Sequence, residues 1–203
     1  MKPAVLLVSL FMRGLAAAQL LQSKPFKLIV RSEDKELNGR AFGTCSEKID
    51  GMSLSSMCLI NSTGTFDSSA IFHLVTEQDA QSGPGGVAGY LIYYIHKNPQ
   101  SMSFFNFPSS NVALTLFYSG IGSGQPVGFD EHQQMNYVAA FDDTTSPPSA
   151  STRVLKNWYF CTTRYMTEQP LQTLNWVIGI AKPQNPSCVK VDVERQFVEG
   201  TSE

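Results

Sequence analysis

Histidine beside carboxylate is an arrangement that both catalysis and metal binding use, and the sequence offers it at Asp130-Glu131-His132. Consecutive residues of an extended chain point to opposite faces, so adjacency alone builds neither a triad nor a ligand set. His73 sits between Phe72 and Leu74 in an apolar run, and His96 ends another before Lys97-Asn98-Pro99. None of the three is assigned a role. Glycoside hydrolysis needs two carboxylates facing each other about 5 to 9 Å apart. Asp130/Glu131 and Asp142/Asp143 are adjacent pairs, so a facing pair has to come from different loops. Gly120-Ile121-Gly122-Ser123-Gly124 has the glycines of a phosphate-binding turn, but Gln125-Pro126-Val127-Gly128 starts no helix behind it. It is also not G-x-S-x-G, since neither Ser119 nor Ser123 has a glycine two residues away on both sides. The reading is a flexible hairpin loop. No catalytic residue, cofactor or metal ligand is therefore expected.

Aromatic side chains are the remaining candidates: Tyr90, Tyr93, Tyr94, Trp158 and Trp176, with Phe104, Phe105 and Phe107. Exposed rings on a β-surface stack on sugars, whereas buried ones fill a core with tyrosine hydroxyls at its edge. The tryptophans read as core. Phe104, Phe105 and Phe107 fall in a long connection, Lys97 to Asn111, and are the candidate interaction loop.

The elements that must position these residues are strands. Val189 to Glu194 places three valines on one face and charges on the other, and Phe26 to Arg31 alternates less cleanly before the turn signal Asn38-Gly39. Ile71–Val75, Val87–His96, Val112–Tyr118, Tyr137–Phe141, Trp158–Tyr165 and Leu174–Ile178 are short, β-branched or aromatic, and bounded by Gly, Pro, Ser and Asn. The best helical stretch, Thr167 to Leu174, is limited to about two turns by Pro170. The expected class is all-β: a single-domain antiparallel sandwich or barrel with long loops and little helix. The end segments Phe26–Val30 and Val189–Val193 are predicted neighbours. The long connections are Gln78–Gly86, Lys97–Asn111, Ser119–Gly128 and Asp142–Thr152.

Residues 1–18 read as a secretory signal: one lysine, the apolar run Ala4 to Met12, then Ala16-Ala17-Ala18. That run is far shorter than the roughly 20 residues that cross a bilayer. Residues 19–203 are then a single secreted, extracellular β domain with no membrane association. The net charge of −2 gives no broad basic surface for nucleic acid. Cys45, Cys58, Cys161 and Cys188 contain no C-x-x-C pair, and an even count in an oxidising compartment suggests two disulfides. Three connectivities are open, and the local pairing Cys45–Cys58 with Cys161–Cys188, which closes the shortest loops, is the expectation. Asn61-Ser62-Thr63 is the N-glycosylation acceptor; Asn185-Pro186-Ser187 fails through its proline.

The stretches Pro25 to Val30, Leu37-Asn38-Gly39, Cys45 and Cys58-Leu59 resemble the start of a family of small secreted fungal proteins of unknown function. The tail is similar as well: Asn157-Trp158-Tyr159-Phe160-Cys161, Thr173-Leu174-Asn175-Trp176, and Pro183 to Cys188 followed by Val189 to Val198. The resemblance covers about 80 residues at the two ends. It implies a filamentous-fungal secreted protein with Cys161–Cys188 bridged, and brings no catalytic residues. The expected function is a secreted, non-catalytic binding or host/cell-surface interaction protein, with a glycan or a host or cell-wall component as partner. A secreted, glycosidase-like hydrolase and a structural cell-wall component are the alternatives.

Overall fold

The computed structural model describes residues 19–49, 52–60, 70–164 and 170–198. Residues 1–18, Asn61 and the start of the predicted helix at Thr167 lie outside them. Where that helical stretch is described, Leu171 to Leu174 are strand.

The described chain opens with the exposed β1 (Leu20–Gln22), the largely buried β2 (Phe26–Arg31) and the hairpin of β3 (Ala41–Ile49) with β4 (Met52–Leu59). Then come β5 (His73–Glu77) and the two-residue hairpin of β6 (Ser82–Gly83) and β7 (Gly86–Val87). A meander follows of β8 (Gly89–Ile95), β9 (Asn98–Asn106) and β10 (Val112–Ser119). Next are β11 (Pro126–Phe129), β12 (Met135–Ala139) and β13 (Arg153–Leu155). The chain closes with β14 (Trp158–Thr163), β15 (Leu171–Val177), β16 (Val189–Lys190) and β17 (Asp192–Phe197). The protein is all-β, with no α-helix among the described residues.

Every strand except β6 and β7 joins one antiparallel sheet, which curls into a half-barrel. The predicted end-to-end neighbours do meet: β17 pairs β2 from Asp192↔Arg31 to Phe197↔Phe26. The curl then brings β17 against the chain entering β12. Gln134 bridges Glu194, and the Arg195 amide donates to the Gln133 carbonyl at 2.8 Å. A second pairing, Phe26 with Phe72, ties β2 to the start of β5 through hydrogen bonds of 3.0 and 2.9 Å.

The structure departs from the sequence expectation at two places. Phe104, Phe105 and Phe107 do not form a loop: β9 runs Asn98–Asn106 and pairs with β10 from Gln100↔Ser119 to Asn106↔Ala113. Phe104 and Phe105 are strand residues, with Phe107 just beyond. The polar residues Asn98, Gln100, Ser101 and Ser103 hid this strand, which pairs with β8 as well as β10 and packs Met102 and Phe104 on the core. The single strand Val189–Glu194 is broken at Val191. Val189 and Lys190 pair with Phe160 and Tyr159, while β17 pairs with β2. Val191 and Val193 are buried, but Val189 is exposed.

The core joins rows from both ends and the middle, including Phe26, Leu28, Phe42, Met102, Trp158 and Val193. Its largest wholly buried side chain is Trp158. The Trp158 indole N–H donates to the Met135 carbonyl at 2.7 Å, and its ring meets Trp176 edge to face at a centroid separation of 4.7 Å. Phe104 stacks on Trp176 at 5.5 Å and touches Tyr137 at 6.1 Å. Both expected disulfides are present. Cys45–Cys58 spans the β3–β4 hairpin with Cα atoms 5.9 Å apart, and Cys161–Cys188 links β14 to the residue before β16 at 4.1 Å. Closing loops of these lengths contributes roughly 3 and 3.6 kcal/mol through the unfolded chain.

Trp158 thus combines a filled volume with a satisfied donor. Trp158→Ala should destabilise the protein by about 3–5 kcal/mol. Trp158→Phe, which leaves the Met135 carbonyl unpaired, should cost about 1–3 kcal/mol. Urea denaturation monitored by circular dichroism measures both; a midpoint unchanged in either variant contradicts this role for the indole.

Candidate functional site

The turn between β11 and β12 is built by one carboxylate. Asp130 Oδ1 accepts the amides of His132 and Gln134 at 3.0 and 2.9 Å, and the Gln133 amide donates to the Asp130 carbonyl at 2.9 Å. This closes the chain into an Asx-type turn with Gln133 at φ 61°. Lys156 places its ammonium 2.6 Å from Asp130 Oδ2 and donates to Gln134 Oε1 at 2.6 Å. Burial works to raise the Asp130 pKa, but the Lys156 ammonium and the amides of Gln134 and His132 outweigh it, and the carboxyl falls below its ordinary value. Glu131 and His132 point outward, with side chains 86% and 75% exposed and Nε2 3.5 Å from Oε1.

Facing this turn is the β6–β7 hairpin. Gly86 takes φ +83°, and a Cβ there would collide with the Phe129 carbonyl, so only glycine lets the hairpin lie this close. The wholly buried Asn136 fixes it from below, donating through Nδ2 to the Gly85 and Gln134 carbonyls at 3.1 and 3.2 Å. Between hairpin and turn lies a cleft of about 710 Å³, with Phe129, Leu74 and Arg195 among its lining and Asp130, Glu131 and His132 along one side.

Arg195 comes from β17. Its guanidinium carbon lies 4.3 Å from the Phe129 ring centroid, 4.7 Å from Phe197 and 5.4 Å from Phe26. Nε and Nη2 both donate to Gln133 Oε1, at 2.9 and 2.7 Å. Burial pulls the pKa below the usual arginine value, but a guanidinium stays charged at any physiological pH.

The other singled-out residues stand elsewhere. The His73 ring meets Tyr94 edge-on at 5.7 Å, with Nδ1 3.1 Å from both the Ser23 carbonyl and the Gln22 amide nitrogen. His96 and Lys97, at φ 47° and 71°, make the tight turn from β8 to β9. Asp142 is held by Thr144 and, at 2.9 Å, by Arg153, away from the cleft lining. No group of three or more His, Cys, Asp or Glu is placed to hold a metal ion among the described residues. The Gly120–Gly124 segment is tied down rather than loose: Ser101 Oγ donates to the Gly120 carbonyl at 2.8 Å and lies 2.9 Å from Ser123 Oγ. Phe105 and Phe107 meet edge to face at 5.3 Å, and Phe107 lines a smaller groove of about 260 Å³.

The cleft therefore gathers Asp130, Glu131 and His132 and part of the long Gln78–Gly86 connection, which the sequence flagged, with Arg195, which it did not. No local pattern marks Arg195 as anything but a solvent-facing position of a strand. No family model matches the chain, and neither a curated protein nor a solved structure matches it.

Because Asp130 titrates lower folded than unfolded, its contribution is complete above the unfolded value, near 3.8, and is lost as pH falls through the folded value. Asp130→Asn keeps an oxygen for the two amides but gives up the Lys156 ion pair. It should cost about 1 kcal/mol at pH 7, with the gap to wild type closing as pH drops below 4. Urea midpoints across pH 3–7 test this; a gap that persists unchanged at pH 3 rejects the charge account.

Proposed function

We propose that the mature chain is a secreted, non-catalytic binding protein whose ligand sits in the cleft between the β6–β7 hairpin and the Phe129–His132 turn. Carbohydrate, free or on a host or cell-wall surface, is the ligand class. The observation that carries this reading is the make-up of the cleft: an aromatic ring, apolar side chains and a rigidly held guanidinium, bordered by polar turn residues. Sites that bind small molecules combine apolar walls with a few fixed polar groups in this way. The two disulfides suit an oxidising compartment, and the leader-like residues 1–18 and the resemblance at both ends favour secretion by a fungus.

Hydrolysis is the second reading, favoured by the meeting of Asp130, Glu131 and His132 on one side of the cleft. A general acid needs its carboxyl pKa raised toward the working pH. Asp130 moves the other way, and its oxygens are engaged by Lys156 and two backbone amides.

The test is a glycan array run on protein purified from culture medium, with fungal wall polysaccharides included, beside a turnover assay on each glycan bound. Binding without product is the expected result. Product that survives replacement of His73, His96 and His132 but vanishes in Glu131→Gln would establish the hydrolase instead.

A further inference from the structure

We propose that Arg195 is an anion anchor, and that the cleft takes a saccharide bearing a carboxylate or a sulfate ester. This rests on the reading of the cleft as the ligand site. Cations elsewhere on the molecule are paired: Arg31 has Glu194 at 2.7 Å, Arg153 has Asp142 at 2.9 Å, and Lys156 has Asp130 at 2.6 Å. No carboxylate among the described residues lies within 4 Å of the Arg195 guanidinium, whose hydrogen bonds go to the neutral amide oxygen of Gln133. Three phenylalanine rings displace water from around it. A charge drawn out of water without a counter-charge is costly, so structures ordinarily pair such groups. Here the pairing is left to a ligand.

Geometry supports the same assignment. Gln133 holds Nε and Nη2 and so fixes the plane of the fork, while Nη1 makes no hydrogen bond to a described residue. A guanidinium of fixed orientation is suited to planar, multidentate recognition of carboxylate or sulfate oxygens. Phe129, which lies under the cation, is buried in the core and forms part of the cleft floor. Of the acidic groups on the cleft, Asp130 is neutralised by Lys156, and Glu131 is solvated at the rim beside His132. The volume of about 710 Å³ lies within the roughly 300–1,000 Å³ of small-ligand sites.

Isothermal titration with glucuronate, galacturonate and glucose 6-sulfate, each against its neutral sugar at matched ionic strength, tests the proposal. The carboxylate and sulfate arms separate the two sources of negative charge. At least one acidic sugar should bind about tenfold more tightly than its neutral counterpart. Arg195→Gln should remove that preference, bringing each acidic sugar to within about twofold of its neutral counterpart, and Glu131→Gln should strengthen acidic binding by about twofold. Equal affinity for acidic and neutral sugars, or a preference that survives in folded Arg195→Gln, overturns the anchor while the carbohydrate reading stands. Binding of none of these sugars, with none bound on the array, overturns both. If circular dichroism shows Arg195→Gln unfolded, the wild-type preference and the response of the exposed Glu131→Gln decide.

Discussion

β17 is the strand on which the rest of the architecture depends, because it serves two neighbours at once. Its even-numbered side lies along β2 over six rungs, from Asp192↔Arg31 to Phe197↔Phe26. The other side gives the Arg195 amide to Gln133, just after the Val191 amide has gone to Trp158. A strand left unpaired on one side is an exposed edge, open to association with other chains. By turning that side against β14 and the β11–β12 turn, the protein covers part of the edge and curls its sheet. The same step lifts Arg195 over Phe129. The seam and the floor of the cleft are thus one construction.

That construction explains why the sequence discloses the fold better than the site. Strands whose alternation faces a single core are legible locally: Phe26, Leu28 and Val30 point inward, as do Val191 and Val193. β9 was not legible, since its first half is mostly polar and it is held between β8 and β10. Leu171–Leu174 carry a short helical pattern but are captured by the ladder to β14, where Leu174 opposes Phe160. The cleft is assembled from hairpin, turn and final strand, across more than 110 residues of sequence. Asp130, Glu131 and His132 stood out by type. Arg195 did not, because nothing near it in sequence says that Gln133 and three phenylalanines will surround it.

Electrostatics separates the two functional readings within this site. A carboxylate that holds a turn by accepting two amides and an ammonium is stabilised as an anion, which suits structure and opposes acid catalysis. A guanidinium among rings with only an amide partner is the reverse case, a cation whose surroundings leave room for a negative ligand.

Amide hydrogen exchange, resolved to single residues, tests the seam most directly. The Arg195 amide should be protected to the same degree as the ladder amides of β2 and β17, since it donates to Gln133 across the seam. Exchange of the Arg195 amide at the rate of exposed loop amides, with β2 still protected, would show β17 to be an open edge, and both the seam and the cleft built on it would fall.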